Sequence, residues 1–440
     1  MKDYKHVAFL CGYFNLPEQY GQTPFLTEGW KEIVYDDGMI EEYKKFFYHE
    51  LVEFCMRGSC SRCVHSYRYD IQQPVTLSLG EGESPYSFFL KNVTVYIMPY
   101  AMLMYSIEIE QETDDLNQIT SVMSVLRSVM CYDKVKHGAF IDAAITPIMD
   151  LYRWFHKTEN VSFNQLIENG NKLKVFQVVN SVSAVSLDEV EKDVLLFELG
   201  TLSRVGSYAK HEDNGISPSY LEEVLHKSKI SFYNNWSALS LMDTFTILSF
   251  KAPGWLLNNW TDTYFRLIYI HSLFLKFYLF RLNIRFRKNL SDISQLEDEL
   301  VSFESAYCFH KISYNFLPLA IYKSIDSGLE ISEERSQLYH LIDVENQRRE
   351  KRNDRKVNRF LIFLTLLTML STLWDSSCLF NELYPYTEYV GSTIAGYKIV
   401  VSALSLVIIV AIIVIFNKTS NPQLSSSASF LRLNVLSSLN

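Results

Sequence analysis

Three groups of side chains in this 440-residue chain have residue types and spacings that can do chemistry. The first is Cys55-x4-Cys60-x2-Cys63-x-His65, where thiolates and an imidazole lie close enough to complete a tetrahedral Zn²⁺ site. No second Cys-x2-Cys supplies the usual distant ligand pair, so reduced thiols on a loop are the competing reading. The second group, Glu108, Glu110, Glu112, Asp114 and Asp115, follows a predicted strand. It reads as a solvated acidic loop or as a divalent-cation site between subunits. The third is Asn358, Thr365, Thr368, Thr372 and Asp375, spaced 7, 3, 4 and 3 apart and hence on one helical face. Inside a bilayer, such a polar seam faces a bundle interior or a water-filled path. In the alternative reading the hydroxyls bond back to their own helix and the face meets lipid or a neighbour.

The seam sits in an apolar setting. Phe360–Trp374 is apolar apart from Thr and Ser, and Ile399–Phe416 carries no charge. A hydrocarbon core about 30 Å thick needs roughly 17–20 helical residues. The second run meets that length alone, and the first meets it if its helix continues to Phe380. Arg348, Arg349, Lys351, Arg352, Arg355, Lys356 and Arg359 precede the first run, whereas the intervening loop holds Asn381, Glu382, Glu388 and only Lys398 as a cation. Basic flanks stay cytoplasmic. Both termini are therefore expected inside the cell's inner (plasma) membrane, with the loop outside. Anionic lipid or a ligand phosphate are further readings of the basic run. One copy of a two-span hairpin cannot enclose a pore, so a pore lined by the seam requires a homo-oligomer.

About 350 residues precede the hairpin. Their net contribution leaves the chain at −9, which argues against a nucleic-acid partner. No secretory signal is expected at the N-terminus, so insertion relies on the C-terminal spans. The 28 Tyr and 29 Phe suit a large core or a ring-stacking pocket. Alternating apolar runs predict strands at Val7–Phe14, Val75–Leu79, Phe88–Met98, Met102–Ile109 and Leu173–Val179, with Pro99-Tyr100-Ala101 as a hairpin turn. Asp114-Asp115, Ser186–Glu189 and Ser217-Pro218 predict helix starts, and Phe232–Phe250 reads as strand plus helix. Asn259–Lys288 is apolar enough to span a bilayer, but Arg266, His271, Lys276 and Arg281 recur along it, so a buried soluble helix is expected. Ser291–Ile325 predicts a second helix kinked at Pro318 and ended by Ser327-Gly328. A third helix is predicted from Ser332 to about Trp374, longer than 60 Å at 1.5 Å per residue. The chain contains no Walker A loop, Gly-x-Gly-x-x-Gly, His-Glu-x-x-His or Gly-x-Ser-x-Gly, and His137, His211, His226 and His310 are scattered, so no enzyme is expected.

The C-terminal pattern resembles the CorA family of divalent-cation transporters. Asn358 with Leu364-Thr365 seven residues on, and Gly396-Tyr397-Lys398-Ile399-Val400-Val401 at the start of the second run, are similar to that family's spans. The resemblance covers about Ser332–Lys418 and implies a homopentamer with the first span lining the pore. The family's Gly-Met-Asn, which holds hydrated Mg²⁺ at the pore entrance, is not reproduced; Leu379-Phe380-Asn381 keeps only the Asn. Divergent CorA-like proteins beside type III CRISPR systems are thought to be opened by a nucleotide second messenger, S-adenosylmethionine joined to AMP (SAM-AMP).

The expected architecture is an α+β cytoplasmic domain, then a long stalk helix and two C-terminal transmembrane helices, CorA-like in order. The expected boundaries are 1–250 for an α/β sensor domain, 251–330 for an antiparallel helical pair and 331–359 for the stalk. The first span follows at 360–380, the outer loop at 381–398, the second span at 399–416 and a cytoplasmic tail at 417–440. The leading expectation is an ion channel in antiviral defence, gated by a cytoplasmic nucleotide ligand. The alternatives are a Mg²⁺ transporter, recruiting its cation through Asn381 and the loop carboxylates, and a non-conducting anchored receptor.

Overall fold

In the computed structural model the described residues are 3–17, 29–58, 62–77, 85–129, 132–167, 172–183, 187–208, 216–288, 293–383, 399–400 and 402–410. The strands are β1 (Tyr4–Asn15), β2 (Trp30–Glu32), β3 (His65–Leu77), β4 (Tyr86–Met98), β5 (Met102–Thr113), β6 (Lys174–Ser181), β7 (Lys229–Tyr233), β8 (Trp236–Ser240) and β9 (Thr244–Phe250). The helices are α1 (Asp37–Lys44), α2 (His49–Met56), α3 (Leu116–Leu126), α4 (Lys134–Phe140), α5 (Thr146–His156), α6 (Glu189–Thr201) and α7 (Pro218–Ser228). They continue with α8 (Gly254–Asn258), α9 (His271–Lys288), α10 (Ile293–Tyr307), α11 (Phe316–Leu329) and α12 (Ile331–Leu383). The chain divides into two compact units, Met1–Tyr339 and His340–Asn440.

The first unit is built on one nine-stranded sheet in the order β2-β3-β4-β5-β1-β6-β9-β8-β7. Every pair is antiparallel except β6 with β9. Side chains alternate between its faces. On β1, Ala8 and Leu10 join a core with α3, α5 and α6, while Phe9 and Tyr13 point the other way. There Phe9 stacks on Phe265 at 3.8 Å, Tyr13 on Phe277 at 4.1 Å, and Phe176 meets Tyr269 at 5.2 Å. The helical stretch Gly254–Lys288 therefore covers the second face of the sheet, and 78% of its most apolar segment is buried. Between α8 and α9 its residues Asn259–Ile270 wind as a π-helix.

Local signals explain many boundaries. Asp115, Asp133 and Ser217 cap α3, α4 and α7 by accepting from backbone N–H groups, and Pro218 takes the first helical position of α7, where its missing N–H costs nothing. Asp188 and Glu191 form a capping box on α6, so the cap is Asp188 rather than Ser186. The β4–β5 hairpin turns at Tyr100 and Ala101, both at positive φ. Hydrogen bonding at the turn is completed from outside, since Arg281 Nη2 donates to the Tyr100 carbonyl at 2.9 Å.

Several expectations are corrected. Phe232–Phe250 contains no helix; β8 and β9 occupy it, because Trp236–Ser240 is buried on both faces and loses the alternation that marks a half-buried strand. Ser291–Ile325 forms two helices, α10 and α11. Pro318 lies in the first turn of α11, where its N–H would be unbonded anyway, so it does not kink a helix. Ser327-Gly328 does not break α11, which runs to Leu329 and is capped by Glu330 at φ +56°. Gly328 is instead a packing residue: a Cβ there would sit 2.1 Å from Ser240 Oγ. The acidic run is mostly strand. Glu108, Glu110 and Glu112 share one face of β5, and Lys91 and Lys5 answer them at 3.0, 3.0 and 3.3 Å.

The second unit contains most of α12. Leu338, Ile342 and Glu345 are buried, but from Glu350 to Leu379 the described side chains of α12 are half-buried or exposed, and none of its most apolar 18-residue segment is buried. The helix continues past Phe380, so Asn381 and Glu382 lie in its last turn rather than in a loop. Of the second apolar run, 399–400 and 402–410 are described and helical; Glu388 and 417–440 lie outside the described residues.

Candidate functional site

Among the described residues, one feature in each unit is a candidate for the function considered first. In the second unit, Asn358, Thr365, Thr368, Thr372 and Asp375 are all on α12 and all exposed. The three threonine hydroxyls donate back to their own helix: Thr365 to the Leu361 carbonyl at 2.8 Å, Thr368 to Thr365 at 2.9 Å and Thr372 to Met369 at 2.9 Å. Back-bonding occupies the hydroxyl proton and leaves the oxygen lone pairs outward. The seam thus offers a line of acceptor oxygens at a helix surface otherwise made of Leu, Ile, Phe and Met. Ahead of it Arg349, Arg352, Lys356 and Arg359 share one side of α12, suited to phosphate groups.

In the first unit a cavity of about 420 Å³ opens between β1, β6, α9 and the first turn of α12. Phe277 and Tyr13 stack to form an aromatic wall, with Phe280 beside them. Around it are Lys174, bonded to Asp243 at 2.7 Å, and Lys276, bonded to Glu334 at 3.2 Å. Glu334 also accepts from Asn283 Nδ2 at 2.9 Å. The Lys276–Glu334 side chains are only 11% and 14% exposed. Removing one partner of so buried a pair leaves an uncompensated charge, so the two hold α9 and the start of α12 together. Burial pushes the Cys11 thiol in this wall well above its ordinary value, which keeps it neutral. A cavity of this size, with an aromatic wall and mixed charges, suits a small molecule with a flat ring and charged groups.

In the sequence Lys276 argues only against a third span. The stronger signal in it is that a lysine in an apolar helix needs a buried partner, and Glu334, 58 residues on, is that partner. Three other polar side chains of the same helical stretch also find partners: Arg266 bonds Asp262 at 2.7 Å, His271 Nε2 the Tyr307 carbonyl at 3.0 Å, and Arg281 Asn15 at 2.9 Å. Burial lowers the His271 pKa to about 4, so it is neutral in the fold.

The zinc candidates are not gathered. Cys55 is a buried free thiol on α2 whose pKa burial pushes up to about 12. Cys63 is disulfide-bonded, where only reduced thiols were expected, and a bonded sulfur is no thiolate ligand. His65 opens β3, and Cys60 lies outside the described residues. Among the described residues no three His, Cys, Asp or Glu side chains are placed to hold a metal ion. His137 Nδ1 accepts from the Asp133 N–H, a structural bond; His226 is on α7, His310 follows α10, and His211 lies outside the described residues. No known family profile, curated protein or solved structure matches the chain.

Proposed function

We propose that this protein is a homo-oligomeric membrane channel of CorA-like architecture, opened by a small ligand bound in its α/β body. The observation that carries the proposal is α12. Its first turn is clamped by Lys276 and Asn283 beside a ligand-sized cavity, and no residue of its most apolar segment is buried, Phe363, Leu366, Leu370 and Leu373 being half-buried and the rest exposed. A bare apolar helix surface of this length is stable in lipid and unstable in water. Seven cations before the segment fit a cytoplasmic N-terminal side. The outward oxygens of Thr365, Thr368 and Thr372 supply acceptors for a cation once several copies surround one axis.

A ligand acts only through unequal affinity for the closed and open states. In this reading it competes for the Lys276 ammonium or the Glu334 carboxylate and so changes how the first turn of α12 is held. SAM-AMP combines flat rings, a phosphate and charged groups, which makes it the first ligand to try. The test is ion flux from liposomes holding the full chain, with and without SAM-AMP, beside Thr368→Leu and Glu334→Gln. The proposal expects ligand-dependent flux, its loss in Thr368→Leu and ligand-independent flux in Glu334→Gln. Flux unaffected by all three would refute it. Back-bonding of the threonines favours a second reading, an anchored receptor without conduction, and total absence of flux would support that one. Mg²⁺-dependent rescue of a transport-deficient strain without ligand would instead identify a transporter.

A further inference from the structure

A second cleft, of about 350 Å³, lies on the sheet face beneath the π-helical stretch, and no residue of α12 lines it. Three backbone irregularities meet at it. The β3–β4 register shifts between Asp70 and Gln73, with Gln72 at φ +53°. The β4–β5 register shifts between Leu90 and Asn92, which frees Lys91 from the ladder. The third is the π-helix itself, whose Thr261, Asp262 and Arg266 face the cleft. Bulges re-aim side chains, π-helical turns gather at functional sites, and a non-glycine residue at positive φ persists only where its surroundings enforce it.

The charges at the cleft are paired with one exception. Lys91 lies 3.0 Å from Glu108, which also accepts from Asn92 at 2.6 Å. Arg266 bonds Asp262 at 2.7 Å and lies 5.0 Å over the Tyr35 ring, and Asp70 is held by Lys31 at 2.9 Å. Arg68 has no carboxylate partner among the described residues, and its Nε is buried without a hydrogen bond. A buried guanidinium donor left unbonded is costly, and a planar guanidinium matches carboxylate and phosphate oxygens.

We propose that this cleft is a binding site for a small anion-bearing metabolite, held through its phosphate or carboxylate on Arg68. The site is independent of the gating ligand, and of whether the protein conducts. To test it, inorganic phosphate, glycerol 3-phosphate and succinate are each titrated calorimetrically into the detergent-solubilised full chain. At least one is expected to bind below about 1 mM, weakening at least about tenfold in Arg68→Gln and in Thr261→Trp, which fills the cleft from the helix side. Binding by either phosphate compound identifies a phosphate ligand, and binding by succinate a carboxylate. If Arg68→Gln unfolds, Thr261→Trp decides. Absence of binding by all three probes, or equal binding by a folded variant, would overturn the proposal.

Discussion

Among the described residues two helices, Gly254–Lys288 and Ile331–Ser376, are long and apolar enough to cross a bilayer, and they resolve that property in opposite ways. The first buries 78% of its most apolar segment and the second none. The first carries His271, Lys276 and Arg281, each with a partner elsewhere in the body, and Arg266, which bonds Asp262 one turn back. The second carries hydroxyls that need only their own backbone. Apolar content therefore does not separate a core helix from a membrane helix. What separates them is that the first sends His271, Lys276 and Arg281 to partners elsewhere in the body, whereas the hydroxyls of the second bond only to their own helix.

Substitutions placed on each helix test that distinction. The largest effect is expected for Phe274→Ala, since Phe274 is fully buried among Phe54, Phe303 and Tyr307. It should cost about 3–5 kcal/mol in chemical denaturation of the body, while leaving membrane partition unchanged. Leu367→Arg, in the exposed stretch of α12, should do the reverse. A charge at mid-bilayer costs about 2.5–3.5 kcal/mol, read as a smaller fraction resisting alkaline extraction, while the unfolding midpoint of the body stays put. A body defect from Leu367→Arg would mean that α12 packs on protein.

Acid should weaken only the body. Burial lowers the pKa of His6 and of His271 to about 4 from 6.5. Both are neutral in the fold and protonate first in the unfolded chain, so their stabilisation is complete above pH 6.5 and declines as pH falls toward 4. At about pH 5.5 the loss is about 1.4 kcal/mol for each, and replacing either by Gln should remove its share of the slope in pH-dependent denaturation. The smallest effect is expected for Thr368→Val, which loses one back-bond and should change helix stability by less than about 1 kcal/mol. Any large change in flux from it would then report on the seam rather than on folding.

Much of this was legible in the sequence because it is local. The Tyr100-Ala101 turn, the caps at Asp115 and Ser217, and the unbroken α12 follow from residues within one or two turns of each other. Charge pointed to a buried helix for Asn259–Lys288, and the observed Gly254–Lys288 is mostly buried. What stayed illegible depends on distant partners. The strands β8 and β9 are buried by α6 and α11, so their sequence lacks alternation. The acidic run reads as a loop until Lys5 and Lys91 are seen across the strands. Both cavities escaped because their pairings join residues far apart in the chain, Lys276 with Glu334 and the β3–β4 bulges with the π-helix.

The depth of two side chains in a bilayer tests the central claim most directly. With Cys378 changed to Ser, a nitroxide is placed at Leu367 on α12 or at Trp255 on the sheet-covering helix, both exposed positions. Each labelled full-length chain is reconstituted and its collision rates with oxygen and with a water-soluble relaxant are compared. The account predicts that the label at Leu367 meets oxygen and excludes the relaxant, while that at Trp255 does the reverse. Equal access of the relaxant to both labels would contradict it.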